Sequence, residues 1–237
     1  RESGLAVCCK HFPGDGIEEL DQHLVMGVNT MECDEWDSTF GHVYKEMIDS
    51  GIQSIMAGHI ALPEYSRKLR PGIKDEDIMP ATLAPELITD LLRGKLGFNG
   101  LVLTDASHMA GMTAAMPRSQ QVPGAIAAGC DMFLFFNDIE EDFGYMMDGY
   151  RNGIITEERL TDALRRILGL KASLKLHEKK KKGTLIPEKE GLSVVGCAEH
   201  LAMAAEAAKK SITLVKDTQH NLPVTPKTHK RAYAFVI

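Results

Sequence analysis

The chain has 237 residues, 44% hydrophobic and 25% charged, which excludes a wholly disordered, collagen-like or disulfide-stapled protein. No stretch approaches the roughly 18 apolar residues that a membrane span requires. The net charge of −6, and a lysine run (Lys179–Lys182) with no interleaved aromatic, point away from nucleic acid.

In chain order, residues 4–9 read as a buried strand and Lys10 to Met31 as a long loop. A helix follows over 34–49, with Asp34 as its N-cap and Gly51 as its stop. Next come a strand at 53–57, a loop over 58–80 and a helix over 84–95 that ends at Gly97. The strand 101–104 runs straight into Asp105. A helix around 122–128 leads to a strand at 131–136, and helices over 138–151 and 157–174 follow. The strands are almost wholly apolar rather than alternating, which suits a parallel sheet covered on both faces. Strand–helix alternation implies an α/β fold with right-handed crossovers. Beyond it, the charged run near Glu178–Lys182, with Gly183 and Pro187, reads as a solvated linker. Residues 198–210 read as a helix, 211–215 as a strand and 232–237 as the start of another.

Three polar clusters follow strand ends, where α/β barrels carry their chemistry. One is Lys10-His11-Phe12-Pro13-Gly14-Asp15-Gly16 with Asp21-Gln22-His23; the second is His59; the third is Thr104-Asp105-Ala106-Ser107-His108. On position alone, Asp105 serves either as a site carboxylate or as the cap of a following helix. Asp21 and His23, two apart, either pair for proton transfer or are two solvated loop residues. Lys10 and His11 bind hydroxyls or phosphate, or close the strand. His11, His23, His59 and His108 lack the i, i+4 spacing of a helical metal pair, so no metal is expected. The five cysteines (Cys8, Cys9, Cys33, Cys130, Cys197) are odd in number, with two adjacent, and read as free thiols in a reducing compartment.

The segment from Leu91 through Gly100-Leu-Val-Leu-Thr-Asp105 to Ser107 resembles the nucleophile signature of glycoside hydrolase family 3. Lys10-His-Phe-Pro-Gly14 resembles that family's substrate-binding segment, and Asp21-Gln-His23 is similar to the acid/base dyad of its β-N-acetylglucosaminidase branch. The resemblance implies the second half of a (β/α)8 TIM-type barrel over 1–175, a linker over 176–197 and the start of a C-terminal α/β sandwich domain over 198–237. It implies Asp105 as nucleophile, His23 as general acid/base with Asp21 as its partner, and Lys10, His11 and His59 as substrate-binding residues. The expected substrate is a β-linked amino sugar or oligosaccharide, with no cofactor, and the rest of the barrel would come from the parent chain. A cytoplasmic location is expected from the free thiols and the family branch. Two departures stand out: Asp15 replaces a histidine of the family's loop, and Gln22 replaces a serine. The family alternatives are a β-glucosidase, a glycoside phosphorylase or a non-catalytic fragment.

Retaining glycoside hydrolysis needs a carboxylate nucleophile and a separate proton donor. A histidine, ordinarily titrating near 6.5, suits proton exchange close to neutrality.

Overall fold

Four short apolar runs lie side by side as one parallel sheet in the computed structural model, which describes residues 4–231 and 233. They are β1 (Cys8–Phe12), β3 (Ser54–Ala57), β5 (Leu101–Ala106) and β6 (Met132–Leu134), in that spatial order. The two short strands β2 (Gly27–Val28) and β4 (Ile60–Ala61) pair with each other. Register is continuous from Ser54↔Leu101 to Ala57↔Thr104, so β5 runs two residues past the end of β3 and carries Asp105 beyond it. A parallel sheet cannot close by hairpins, and the crossovers between its strands supply the helices that cover it.

The first crossover is a helical run: α1 (Cys33–Trp36), a wider turn over Asp37–Gly41, then α2 (His42–Asp49). Next come α3 (Pro63–Leu69), with proline in its first turn, and a wide helix over Glu86–Lys95. Then follow α4 (Ala110–Thr113), α5 (Arg118–Ala128), α6 (Ile139–Arg151) and α7 (Glu157–Ser173). Asp138 caps α6 by accepting from the Glu140 and Glu141 amides, and Thr156 caps α7 by accepting from the Arg159 amide. None of the described helices is long and apolar enough to cross a membrane.

The main core lies between the sheet and these helices. Phe12, at the end of β1, meets Trp36 and Tyr44 edge-on at 6.2 and 5.2 Å, and Tyr65 meets Trp36 at 5.2 Å. These geometries suit the aromatic quadrupole. Ile88, Leu91 and Leu92 of the wide helix are fully buried with Ile55 and Val102 of the sheet. The opposite end of the sheet is tied by charge. Asp131, just before β6, accepts from Arg93 at 2.8 Å and from the Val102 amide at 2.8 Å, and also binds Arg159. A buried carboxylate requires such partners.

Several expectations shift. The first strand is displaced toward the C-terminus: Lys10 and His11 lie inside β1, not in a loop after it. Their polarity suggests a loop, but pairing with β3 continues to Phe12↔Ala57 across a register irregularity. The region 58–80 holds β4 and α3 rather than being only loop. Residues 212–217 carry no strand; Ile212, Leu214 and Val215 are exposed, and a strand needs a neighbour to accept its backbone hydrogen bonds. The strand expected at 232–237 falls on residues that, Tyr233 apart, lie outside the described set.

The chain divides into two units, Arg1–Lys182 and Gly183–Ile237. The first also contains α8 (Leu176–Lys181), within the segment read as linker. The second contains α9 (Ala198–Ser211), none of whose residues is buried.

Candidate active site

The polar residues at the C-terminal ends of β1, β3 and β5 converge. Asp105 is the fifth residue of the strand Leu101–Ala106. Its Oδ1 accepts from the Ala106 amide at 2.7 Å, which turns Oδ2 toward His11 Nε2 at 3.4 Å. Both side chains are largely enclosed, 13% and 18% exposed, but remain open to solvent. The other nitrogen of His11, Nδ1, is 2.7 Å from Asp15 Oδ2.

Asp21 and His23 do pair. His23 Nδ1 is 2.7 Å from Asp21 Oδ1, and the same oxygen accepts the His23 amide at 2.9 Å. Those two bonds, the backbone one first, hold the Asp21 carboxyl below the usual carboxylate range. The Asp21 carbonyl also accepts from the Leu24 and Val25 amides, so the dyad sits on a tight turn. With Nδ1 engaged, His23 Nε2 is left to face outward. The backbone of this loop is docked on the element after β5: the Ala110 amide donates to the His23 carbonyl at 3.2 Å. A Cβ on Gly111 would lie 2.9 Å from His59 Cβ and 3.3 Å from the Gln22 carbonyl, so a side chain there would push this contact apart.

His59 is fully buried, and both of its ring nitrogens are used within the protein. Nε2 lies 2.9 Å from the Ala106 carbonyl and Nδ1 lies 3.0 Å from the Thr82 hydroxyl. Burial pushes its pKa down, so the ring is neutral. Since a carbonyl only accepts, Nε2 carries the proton. His59, expected among the substrate-binding residues, has both ring nitrogens engaged within the protein, where the ring supports the backbone next to Asp105. Lys10 is exposed and alternates with His11 along β1.

Sequence reasoning missed the residues that hold these groups in place. The Trp36 indole donates to the Pro13 carbonyl at 2.9 Å, and Asn29 donates to the Gly14 carbonyl at 3.3 Å. Gly14, at φ +127°, lies where a Cβ would strike the Phe40 ring at 2.2 Å. Asp15, noted only as a departure, is a direct partner of His11; its i+4 spacing from that histidine was the available signal.

A carboxylate and two histidines lie at or just past strand C-terminal ends on a parallel sheet covered by helices, the place where α/β enzymes of the barrel type carry their chemistry. A family model described as the N-terminal domain of glycosyl hydrolase family 3 matches residues 1–170, and the chain belongs to that family. A beta-N-acetylglucosaminidase/beta-glucosidase of Cellulomonas fimi is 53% identical over 232 residues, covering 98% of this chain and 40% of the relative. A beta-hexosaminidase of Methylobacillus flagellatus is 33% identical over 137 residues, covering 58% of this chain and 36% of the relative. Among solved structures, the beta-glucoside phosphorylase BglX bound to 2FGlc is similar with TM-score 0.87 and 42% identity, over 95% of this chain and 40% of that one. This chain therefore spans well under half the length of these relatives.

Proposed function

We propose that this chain carries the nucleophile and the acid/base of a retaining β-glycosidase acting on terminal β-linked N-acetylglucosaminides or glucosides. It would form the second half of a (β/α)8 barrel whose remaining strands come from the parent protein, with residues 198–237 opening a sandwich domain. The observation that carries the reading is the Asp105 carboxylate at the end of β5, with the Asp21–His23 pair on a loop bonded to the next element. The C. fimi relative's name, which joins both sugar types, supports this breadth of substrate.

In the first step an Asp105 oxygen bonds to the anomeric carbon as the bond to the leaving oxygen breaks. His23 Nε2 gives its proton to that oxygen. In the second step water loses a proton to His23 and attacks the anomeric carbon, releasing Asp105. Asp21, held anionic, orients the ring and stabilises the imidazolium. His11 and Lys10 are proposed to hold sugar hydroxyls, with His11 also facing Asp105. Free thiols at all five cysteines support a reducing compartment.

A second reading replaces water with phosphate. The 42% identity to a structure named as a beta-glucoside phosphorylase favours it. So does the chemistry: a histidine repels an incoming phosphate less than a carboxylate would, and phosphate needs no deprotonation to attack. In that case the product is a glycosyl phosphate.

The test is cleavage of 4-nitrophenyl β-N-acetylglucosaminide and β-glucoside by the full-length protein, with and without phosphate. Asp105→Ala is expected to abolish turnover while the protein stays folded; substantial residual activity would sink the assignment. His23→Ala should cost poor leaving groups far more than good ones, since good ones need little protonation. Acceleration by phosphate with release of glycosyl phosphate would select the second reading.

A further inference from the structure

The two halves of this site are joined through a residue that neither needs for its own chemistry. Asp15 Oδ2 takes His11 Nδ1 at 2.7 Å, and the opposite ring nitrogen of that histidine faces Asp105 Oδ2 at 3.4 Å. Gln22 Nε2 lies 3.2 and 3.4 Å from the two oxygens of the same Asp15 carboxylate. Gln22 is the residue between Asp21 and His23. A carboxylate only accepts, so the Gln22 amide must turn its NH2 toward Asp15; its Oε1 is left buried without a partner. That orphaned acceptor is a cost of this orientation, because an unpaired buried oxygen is unfavourable.

We propose that Asp15 is a positioning residue, a latch that fixes the dyad loop in register with the nucleophile through His11 on one side and Gln22 on the other. It touches neither the reacting carbon nor the leaving group. It sets where His23 Nε2 stands relative to Asp105, and it holds the His11 ring edge-on to the nucleophile. The inference rests on the glycosidase reading above. The loop needs such a device because Asp21 and His23 are themselves exposed, with side chains 59% and 69% accessible, and an exposed turn carries little packing to locate it.

The test is a double-mutant cycle in the full-length protein, with Asp15→Ala, Gln22→Ala and the pair, measured on aryl glycosides of graded leaving-group ability. Asp15→Ala is expected to lower kcat/KM roughly ten- to a hundred-fold, the scale of a charge-assisted hydrogen bond. The loss should fall chiefly on kcat and be steepest for poor leaving groups, whose departure needs His23. Asp15→Asn, whose carbonyl can still accept from His11, should recover part of the loss and keeps the test valid if Asp15→Ala does not fold. With the latch, the double variant loses no more than Asp15→Ala alone; separate roles would add. Wild-type rates in Asp15→Ala and Asp15→Asn, with Asp105→Ala inactive, overturn the latch alone. A loss equal for every leaving group and additive with Gln22→Ala also overturns it. An active Asp105→Ala overturns the glycosidase reading itself.

Discussion

His59 is a buried side chain that holds the backbone beside a candidate site residue. Its neutral ring holds the Ala106 carbonyl, one residue from Asp105, and burial keeps its pKa below the ordinary value near 6.5. The unfolded chain therefore binds a proton at His59 that the native state refuses. Stability from this residue is complete above about pH 6.5 and declines as pH falls below it. Thermal melting from pH 8 to pH 5 should show that slope, and His59→Phe should flatten it. An equal slope in the variant would assign the effect elsewhere. Arg118 and Asp142 work in the same direction at lower pH. Burial raises the Asp142 carboxyl, but the Arg118 guanidinium and the Asn137 amide outweigh it and bring it below its ordinary range. That contribution is present above about pH 4 and disappears as Asp142 is protonated. Arg118→Ala leaves the Asp142 carboxylate with the Asn137 amide alone and should cost about 1–3 kcal/mol in urea unfolding at neutral pH.

At the scale of elements, close approaches set the packing. Gly149 of α6 lies where a Cβ would be 2.2 Å from Pro123 Cβ in α5. Gly149→Ala should destabilise by about 1–3 kcal/mol through overpacking, read as a lower urea midpoint with unchanged slope. Much at this scale could be read from residue types. The apolar run Leu101–Thr104 announces β5, and the helices read over 138–151 and 157–174 are present as α6 and α7. The Asp105 position at a strand end and the closeness of Asp21 to His23 were visible locally, but spacing left the role of each open and only the family resemblance chose between the readings. What lay hidden depends on distant partners. Lys10 and His11 are in a strand because β3 is there to pair with, and no local propensity states that. His59 was a candidate because it follows a strand; its partners in the structure, the Thr82 hydroxyl and the Ala106 carbonyl, lie 23 and 47 residues away and no local pattern names them. The run from Ile212 to Val215 has strand composition but pairs with no strand among the described residues.

The whole first unit is a sheet with two open edges, β1 and β6. Near them Leu5, Val7, Phe135 and Phe136 are more than half exposed. Parallel edges and clustered apolar side chains invite pairing with another chain. The 237-residue chain alone is expected to bind a hydrophobic dye strongly and to self-associate at micromolar concentrations in sedimentation velocity. A longer protein whose further strands cover these edges, as proposed above, should do neither. A monodisperse, dye-silent 237-residue chain would show that these edges need no cover.

Trp36 gives this molecule an optical handle. It is the chain's one tryptophan, fully buried against Phe12, Tyr44 and Tyr65, with its indole N–H on the Pro13 carbonyl three residues after Lys10. Its emission from this chain should lie far to the blue and resist quenching by iodide. Any motion that lifts the Pro13–Gly14 turn off the indole would shift that colour. The position of the turn that carries Asp15 can thus be followed in real time, without a label, in the light of one ring.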